Sequence, residues 1–306
     1  MARHDPHADP HADPHADPHA LSDTSSSRAA GPLVGPATGP DLHVMSWNVR
    51  RPVPAVLTRT ADRWDVRAPR VRALLGTELP TVLGAQEVVA EQAEAMRRAL
   101  GARYRYVGRG RSVAGGGEAS PIFYDSSRLE LLGWDQAALS DHPSRPGSVS
   151  WGNVFPRVVV SATFRDRVTA RRFLVVNTHL DPLSARSRLR SARAILDLVD
   201  ASGLPAVVTG DLNAGPASPV VRELGSGGIL ADSWHGARSR VSEEWGTYAN
   251  YRAPRRNGRR IDWILVTSSF KVSRAAVNPL RCGGGWASDH LPVHAVMGLD
   301  EKGAER

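Results

Sequence analysis

Carboxylate, asparagine and histidine side chains recur in this sequence where runs of apolar, strand-like residues end or are interrupted. A carboxylate beside a histidine can orient the imidazole and raise its basicity. Carboxylate and amide oxygens are also the ligands that hard divalent cations prefer. The pattern therefore indicates a hydrolytic site that combines an activated water with a bound cation. The residues at these positions are Asn48, Glu87, His179, Asp211, Asn213, Asp262, Asp289 and His290.

Strand ends at one edge of a sheet lie close together, so residues this far apart in the sequence can share one cleft. Taken singly, Asn48 or Asn213 is most often a turn residue, and Asp211 after a glycine can simply cap the next segment. Asp262 is different because it lies between apolar neighbours, and burial of an unpaired carboxylate costs several kcal/mol. We expect a histidine to be its partner.

Hydrophobic periodicity predicts the elements that must position these residues. Short apolar or alternating runs predict strands, and apolar residues three and four positions apart predict helices. The predicted helices span residues 67–79, 89–100 and 184–199. The predicted strands span residues 42–49, 81–86, 104–107, 121–124, 129–134, 157–164, 173–178, 206–209, 261–266, 272–277 and 291–297.

This order of elements predicts an α/β (α+β) sandwich in which two packed mixed β-sheets are flanked by helices. No linker interrupts residues 41–299, so we expect one catalytic domain there, followed by a flexible C-terminus at residues 300–306. Residues 1–40 contain tandem Asp-Pro-His-Ala repeats and no apolar periodicity, which predicts a disordered low-complexity tail. The repeated histidines suggest metal binding, but proline at the same interval prevents the helix that would align them.

Composition bounds the class of protein. The 306 residues carry a net charge of +8, and because residues 1–40 are acidic, the remainder carries +11. Such charge is compatible with polyanionic partners, although arginine-rich enzymes without them are common. The single cysteine, Cys282, excludes a disulfide-dependent scaffold. We find no membrane span, no secretory signal and no sign of a stable protein partner, so we expect a cytoplasmic monomer.

Six short strings resemble, in order, the motifs of the endonuclease/exonuclease/phosphatase superfamily, whose members have the deoxyribonuclease I-like fold. The resemblance covers residues 42 to about 298. Residues 118–125 and 155–157 are also similar to a bacterial branch of that superfamily. The strings are MSWNV (45–49), GAQEV (84–88), NTHLD (177–181), GDLNA (210–214), RIDWIL (260–265) and SDHLPV (288–293).

The resemblance implies a divalent-metal-dependent phosphoester hydrolase, either a phosphodiesterase or nuclease, or a phosphatase. The substrate would be a nucleic acid or a small phosphorylated molecule. The implied cofactor is Mg²⁺, with Mn²⁺ as a substitute. Glu87 would be its direct ligand, with Asn48 and Asp289 beside it.

The resemblance also implies the catalytic roles. Asp262 would orient His290, which acts as general base on the attacking water or contacts the phosphate. Asp211 and Asn213 resemble the residues that hold the nucleophile and a phosphate oxygen. His179 resembles a second histidine that binds the phosphate or assists the leaving group.

Other residues bear on the substrate. Arg157 is a candidate phosphate clamp, because a guanidinium fork suits bidentate contact with oxygens. The loops at residues 108–117 and 251–260 are rich in arginine, and the second holds five of them, so each is either a grip for a polyanion or a solvated loop. The alternative function is a noncatalytic, basic nucleic-acid-binding protein that keeps the fold.

Overall fold

The structure is a computed structural model that describes residues 31–300. Its helices are α1 (Trp64–Glu78), α2 (Ala90–Leu100), α3 (Ala185–Ser202), α4 (Pro219–Leu224) and α5 (Ser233–Gly236). Its strands are β1 (Leu42–Asn48), β2 (Val82–Gln86), β3 (Tyr104–Val107), β4 (Ile122–Asp125), β5 (Leu129–Ala138), β6 (Val158–Asp166), β7 (Arg172–His179), β8 (Ala206–Asp211), β9 (Ala231–Asp232), β10 (Ser239–Arg240), β11 (Asp262–Val266), β12 (Phe270–Val277) and β13 (Val293–Leu299).

The strands form two sheets that pack against each other. The first has the order β10-β12-β13-β1-β2-β4-β3, and the second has the order β5-β6-β7-β8-β11-β9. Strands β1 and β2 run parallel, as do β7 and β8, whereas β13 is antiparallel to β1 and β11 is antiparallel to β8. Both sheets are therefore mixed, and the predicted α/β sandwich of two packed mixed sheets flanked by helices is confirmed.

Apolar side chains lie on both faces of each sheet, which explains why the strands read as nearly continuous apolar runs. In β1, Val44 belongs to the core between the sheets, whereas Met45 and Trp47 belong to a second core that includes residues of α1 and α2. A third core joins the outer face of the second sheet to α3 and α4. The result is a four-layer arrangement of helices, sheet, sheet and helices.

The two sheets approach each other closely at Gly84 of β2. A Cβ atom at this position would lie 2.0 Å from Oγ1 of Thr209 in β8. Beside it, Asn177 Oδ1 accepts hydrogen bonds from Gln86 Nε2 at 2.8 Å and from Thr209 Oγ1 at 3.0 Å. The bond from Gln86 joins the two sheets, and the bond from Thr209 orients Asn177 within the second sheet. Breaking either bond would leave a desolvated polar group, so the pair helps to fix the relative position of the sheets.

The chain before β1 is partly described. Residues 1–30 of the predicted tail and residues 301–306 lie outside the described residues. Residues 31–40 pack against the domain: the amides of Leu33, Val34 and Gly35 donate to the carboxylate of Glu78 at 2.7, 3.2 and 2.9 Å. Backbone hydrogen bonds of this kind leave no pattern in side-chain composition, which is why we expected these residues to belong to the tail.

Most predicted elements are present within a few residues of their expected bounds. The structure also contains four elements that the sequence did not predict, namely α4, β9, α5 and β10. Each has two to six residues, too few to show a hydrophobic period. Strand β5 continues to Ala138, past Gly133, where its register against β6 shifts. None of the helices in residues 31–300 combines the length and the apolar character that a membrane span requires.

Candidate active site

The predicted site residues meet at one edge of the sandwich, where strands of both sheets end. Asn48 is the last residue of β1, and His179 and Asp211 are the last residues of β7 and β8. Strand register places His179 beside Asp211, and the antiparallel pairing of β11 with β8 places Asp262 opposite Asp211. Strand pairing alone therefore brings these side chains together.

His290 and Asp262 form a buried pair. The Nδ1 atom of His290 lies 2.8 Å from Oδ2 of Asp262, and its Nε2 atom lies 3.9 Å from Oδ2 of Asp211. Burial lowers the pKa of His290, but the carboxylates of Asp262 and Asp211 outweigh this effect and raise its pKa to about 10. The two carboxylates therefore favour the charged form of the ring.

The surroundings of this pair fix its orientation. Thr247 Oγ1 accepts hydrogen bonds from the amides of Ile261 and Asp262 at 2.9 and 3.1 Å. The Tyr248 ring lies edge-on to the His290 ring, with centroids 5.0 Å apart. The second oxygen of Asp262 makes no hydrogen bond within residues 31–300.

Asp211, Asn213 and His179 form a second connected group. The Nε2 atom of His179 lies 3.6 Å from Asp211 Oδ2 and 3.1 Å from Asn213 Nδ2. The backbone N–H of Asn213 donates to Asp211 Oδ1 at 2.9 Å. The backbone of Asn213 has a φ of 48°, a conformation that asparagine tolerates. Burial lowers the pKa of His179 to about 4, although Asp211 opposes it. Burial and the neighbouring Asp262 raise the pKa of Asp211.

Glu87 joins the first sheet to this group. Asn48 Nδ2 donates to Glu87 Oε1 at 3.1 Å and to Asp211 Oδ2 at 3.0 Å. The guanidinium of Arg50 lies 3.8 Å from Glu87 Oε2 and 3.8 Å from Asp289 Oδ2. Burial favours the neutral form of Glu87, but nearby histidines, the Asn48 amide and Arg50 outweigh it and lower its pKa to about 2. Glu87 is therefore ionised at neutral pH.

The donor set fits a hard divalent cation. Glu87 and Asp289 offer carboxylate oxygens, whereas Asn48 turns Nδ2 towards Glu87 and its Oδ1 accepts a hydrogen bond from the Arg50 amide at 2.9 Å. Burial together with the charge of Glu87 raises the pKa of Asp289. A bound cation would stabilise the ionised form of such a carboxylate. Asp211, Asp262 and His290 place their ligand atoms within 4.8 Å of one another, a spacing at which side chains can hold a metal ion. In this group, His290 Nδ1 is already paired with Asp262 Oδ2 and His290 Nε2 lies near Asp211 Oδ2.

Arg157 lies beside the histidines. Its side chain is only 5% exposed, and its Nε atom lies 3.6 Å from Asp181 Oδ2. Neither Nε nor Nη1 of Arg157 has a hydrogen-bond partner within residues 31–300. The residue lines a small pocket together with Glu87 and His179. An anion in this pocket would satisfy donors that are otherwise buried and unpaired.

The architecture recurs in known proteins. The model of the Endonuclease/Exonuclease/phosphatase family matches residues 45–290. The chain belongs to the endonuclease/exonuclease/phosphatase family. No curated protein matches the sequence.

Solved structures agree with this membership. A family protein from Bacteroides thetaiotaomicron is 30% identical, with a TM-score of 0.80 over 85% of this chain and 98% of that chain. A mannosyl-6-phosphatase from Bacteroides thetaiotaomicron VPI-5482 is 29% identical, with a TM-score of 0.79 over 84% of this chain and 99% of that chain. The catalytic domain of human Nocturnin, at 18% identity and a TM-score of 0.63 over 85% and 94%, shares the fold. The predicted family and the similarity to bacterial members are confirmed.

The candidate site is supported by Arg67, a residue that the sequence did not reveal. Arg67 is fully buried, and its guanidinium donates to the carbonyls of Asp62, Val49 and Arg50 at 2.9, 2.8 and 3.0 Å. It thereby holds the turn that follows Asn48. Because its partners are backbone carbonyls and the sequence is rich in arginine, no motif could have singled it out.

The five-arginine loop before Asp262 is partly structural. Arg260 is buried, donates to both carboxylate oxygens of Asp232 at 2.8 and 2.7 Å, and stacks 4.1 Å from the Trp263 ring centre. Arg259 stacks on Tyr248 at 5.3 Å. These two arginines pack against neighbours in the domain and leave only the outer part of the loop to face a substrate.

Proposed function

We propose that the protein is a divalent-metal-dependent phosphoester hydrolase. One observation carries the proposal: Glu87 and Arg157 line the same small pocket, and Asn48 and Asp211 connect Glu87 to the Asp262–His290 pair. Anion-binding donors next to a cation-binding carboxylate suit a phosphate that bridges the two. Membership in a family of phosphoesterases and nucleases supports this chemistry.

We assign the cation to Glu87, with Asp289 and Asn48 beside it. Mg²⁺ suits such oxygen donors, and Mn²⁺ is the natural substitute. When bound, the ion would neutralise negative charge on the phosphate. Arg50, which lies between the two carboxylates, keeps them close without occupying either fully, since both contacts are 3.8 Å long.

The remaining residues bind and orient the substrate and the water. Asp262 holds Nδ1 of His290, which directs Nε2 towards Asp211 and the cleft. Of the two roles open to His290, contact with a phosphate oxygen is favoured because a charged ring donates a strong hydrogen bond. Asp211 accepts a hydrogen bond from the attacking water, and the Asn213 amide holds a phosphate oxygen. His179 and Arg157 bind the other phosphate oxygens.

The experiment is a screen for hydrolysis with Mg²⁺ or Mn²⁺. Its substrates are p-nitrophenyl phosphate, bis-p-nitrophenyl phosphate, plasmid DNA, RNA, inositol phosphates and sphingomyelin. We expect EDTA to abolish turnover of at least one of them. Glu87→Ala and His290→Ala should each reduce that turnover by about a hundredfold or more with little change in Tm.

The matched control is Glu91→Ala, because Glu91 is an exposed glutamate in the first turn of α2. It should retain wild-type turnover. Wild-type turnover by Glu87→Ala or His290→Ala would contradict the proposal, as would turnover that persists in EDTA. A noncatalytic nucleic-acid-binding protein would instead bind in a salt-dependent manner that survives both chelation and Glu87→Ala.

A further inference from the structure

The pocket that contains Arg157 is very small. Glu87, His179, Arg111 and Glu118 also line it, and its volume is about 10 Å³. A single water molecule needs about 10–15 Å³ of such space. The pocket therefore accepts an oxygen-sized group and has no room for a carbon chain.

Two arginines face this pocket. Arg157 brings two buried N–H groups without partners among the described residues. Arg111 is 16% exposed, and its Nη1 lies 2.9 Å from Glu118 Oε2. The Arg111 guanidinium also stacks 5.5 Å from the Phe155 ring centre. The Arg111 guanidinium is thus held in place before any ligand arrives, which lowers the entropy cost of binding.

A second, larger space adjoins the site. A cavity of about 520 Å³ lies between α3 and α4, and Asn213 forms part of its wall. Leu189 and Val220 contribute apolar surface to it, and Arg186 lies among its basic residues. A phosphate at the site would meet a tight pocket with two guanidinium groups and also the larger cavity beside Asn213, which has space for an organic group.

We propose that the protein selects phosphomonoesters. In this proposal, which rests on the proposed function, Arg111 and Arg157 bind the terminal oxygens of the phosphate, and the leaving group extends towards the cavity beside Asn213. A monoester carries close to two negative charges near neutral pH and three terminal oxygens, which matches two guanidinium forks. A diester would have to place its second ester group where only an oxygen fits.

The reaction is the hydrolysis of the ester bond. The oxygen of water forms a new bond to phosphorus, and the bond from phosphorus to the leaving oxygen breaks. The leaving oxygen takes a proton, and the products are an alcohol and inorganic phosphate. Arg111 binds oxygens that do not exchange in this step, so it contributes to recognition.

The test compares p-nitrophenyl phosphate with bis-p-nitrophenyl phosphate in the presence of Mg²⁺. We expect the wild-type kcat/KM for the monoester to exceed that for the diester by about a hundredfold or more. Arg111→Gln should lower the monoester kcat/KM by about tenfold, the loss of roughly 1.4 kcal/mol of binding, and change the diester value by less than about twofold. Inorganic phosphate should inhibit this variant more weakly than the wild type.

The matched control is Arg103→Gln. Arg103 makes an ion pair of the same length, 2.9 Å to Asp125, and stacks on Tyr104 at 5.5 Å, far from the site at the edge strand β3. It should leave both kcat/KM values unchanged. A diester that is hydrolysed as fast as the monoester, or equal losses for both esters in Arg111→Gln, would overturn the inference. Failure to hydrolyse either ester, or any other phosphoester, would instead overturn the proposed function.

Discussion

The carboxylate of Asp262 orients the His290 ring at a cost to the stability of the folded protein. One of its oxygens pairs with His290 at 2.8 Å, and the other has no partner among the described residues. A buried carboxylate with half of its hydrogen bonds is costly. Such a cost at a cleft is typical of a functional residue.

We expect Asp262→Asn to lower metal-dependent turnover by about a hundredfold, because an amide cannot hold a charged imidazole as a carboxylate does. The free energy of unfolding should fall little, since the substitution also removes a buried charge. Turnover of the best substrate and urea unfolding together check this. Asp197→Asn, on the exposed face of α3, is the control, and an equal effect of both substitutions would contradict the prediction.

Another group of titratable residues lies at the opposite end of β1. His43 Nε2 and His294 Nδ1 are 2.9 Å apart, and both side chains are fully buried. Burial, with repulsion from His294 in the case of His43, lowers both pKa values to about 3. The folded protein therefore keeps both rings neutral in a pH range where an unfolded chain binds protons.

This difference predicts a loss of stability in acid. An unfolded histidine titrates near pH 6.5, so the unfolded state binds more protons than the folded state below that pH. We expect the contribution of these two neutral rings to the free energy of unfolding to have its full value above pH 6.5 and to decrease as the pH falls towards 3. Two such rings give a slope of about 2.7 kcal/mol per pH unit at most.

Urea unfolding at several pH values between 4.5 and 7.5 measures this slope. His294→Gln removes one titrating ring and should reduce the slope by up to about 1.4 kcal/mol per pH unit, while His43 and His179, whose pKa values are also lowered, keep their contributions. His235→Gln is the control, because His235 is exposed. Equal slopes in wild type and His294→Gln would show that other groups cause the acid sensitivity.

At the scale of elements, the contact at Gly84 constrains the sandwich most tightly. Gly84→Ala would place a methyl group 2.0 Å from Thr209 Oγ1, so strands of different sheets must separate. We expect a loss of about 1–3 kcal/mol in the free energy of unfolding and a lower Tm. Gly133→Ala, in β5 with nothing within 4 Å of the added atom, should be nearly neutral. Similar Tm values for the two variants would contradict this account.

The strands, the helices and the polar residues at their ends could be predicted from the sequence, because both depend on local patterns. Asn48 and Asp211 were recognisable for that reason, since each closes an apolar run. The positions of Arg67 and Arg111 could not be predicted. Their partners are carbonyls, a carboxylate and a ring that only the tertiary fold brings near, and an arginine-rich sequence offers no contrast.

At the scale of the whole molecule, the segment before β1 is part of the domain. The amides of Leu33, Val34 and Gly35 provide most of the hydrogen bonds to Glu78, which is only 1% exposed. Asn278 Nδ2 supplies another at 3.0 Å. The carboxylate thus depends on a piece of chain that composition alone would assign to the tail.

A chain that begins at residue 31 and one that begins at residue 41 should therefore differ in stability. We expect the first to retain the Tm of the full chain and the second to lose about 1–3 kcal/mol, because a buried carboxylate loses its donors. Thermal unfolding of both checks this. Glu78→Gln in each chain is the control. It should make the difference in Tm between the two chains smaller. An equal Tm for the two chains would show that the segment contributes nothing.

Strand β1 forms its antiparallel pair with β13, so that Leu42 lies opposite Met297. During translation the first strand leaves the ribosome long before its permanent neighbour, and one of its edges stays unpaired in the interval. Unpaired edges promote aggregation, and distant pairings slow folding. The nascent polypeptide cannot complete its central sheet until residue 299 has cleared the exit tunnel. Until then the exposed edge of β1 should make the unfinished chain prone to aggregation and dependent on chaperones.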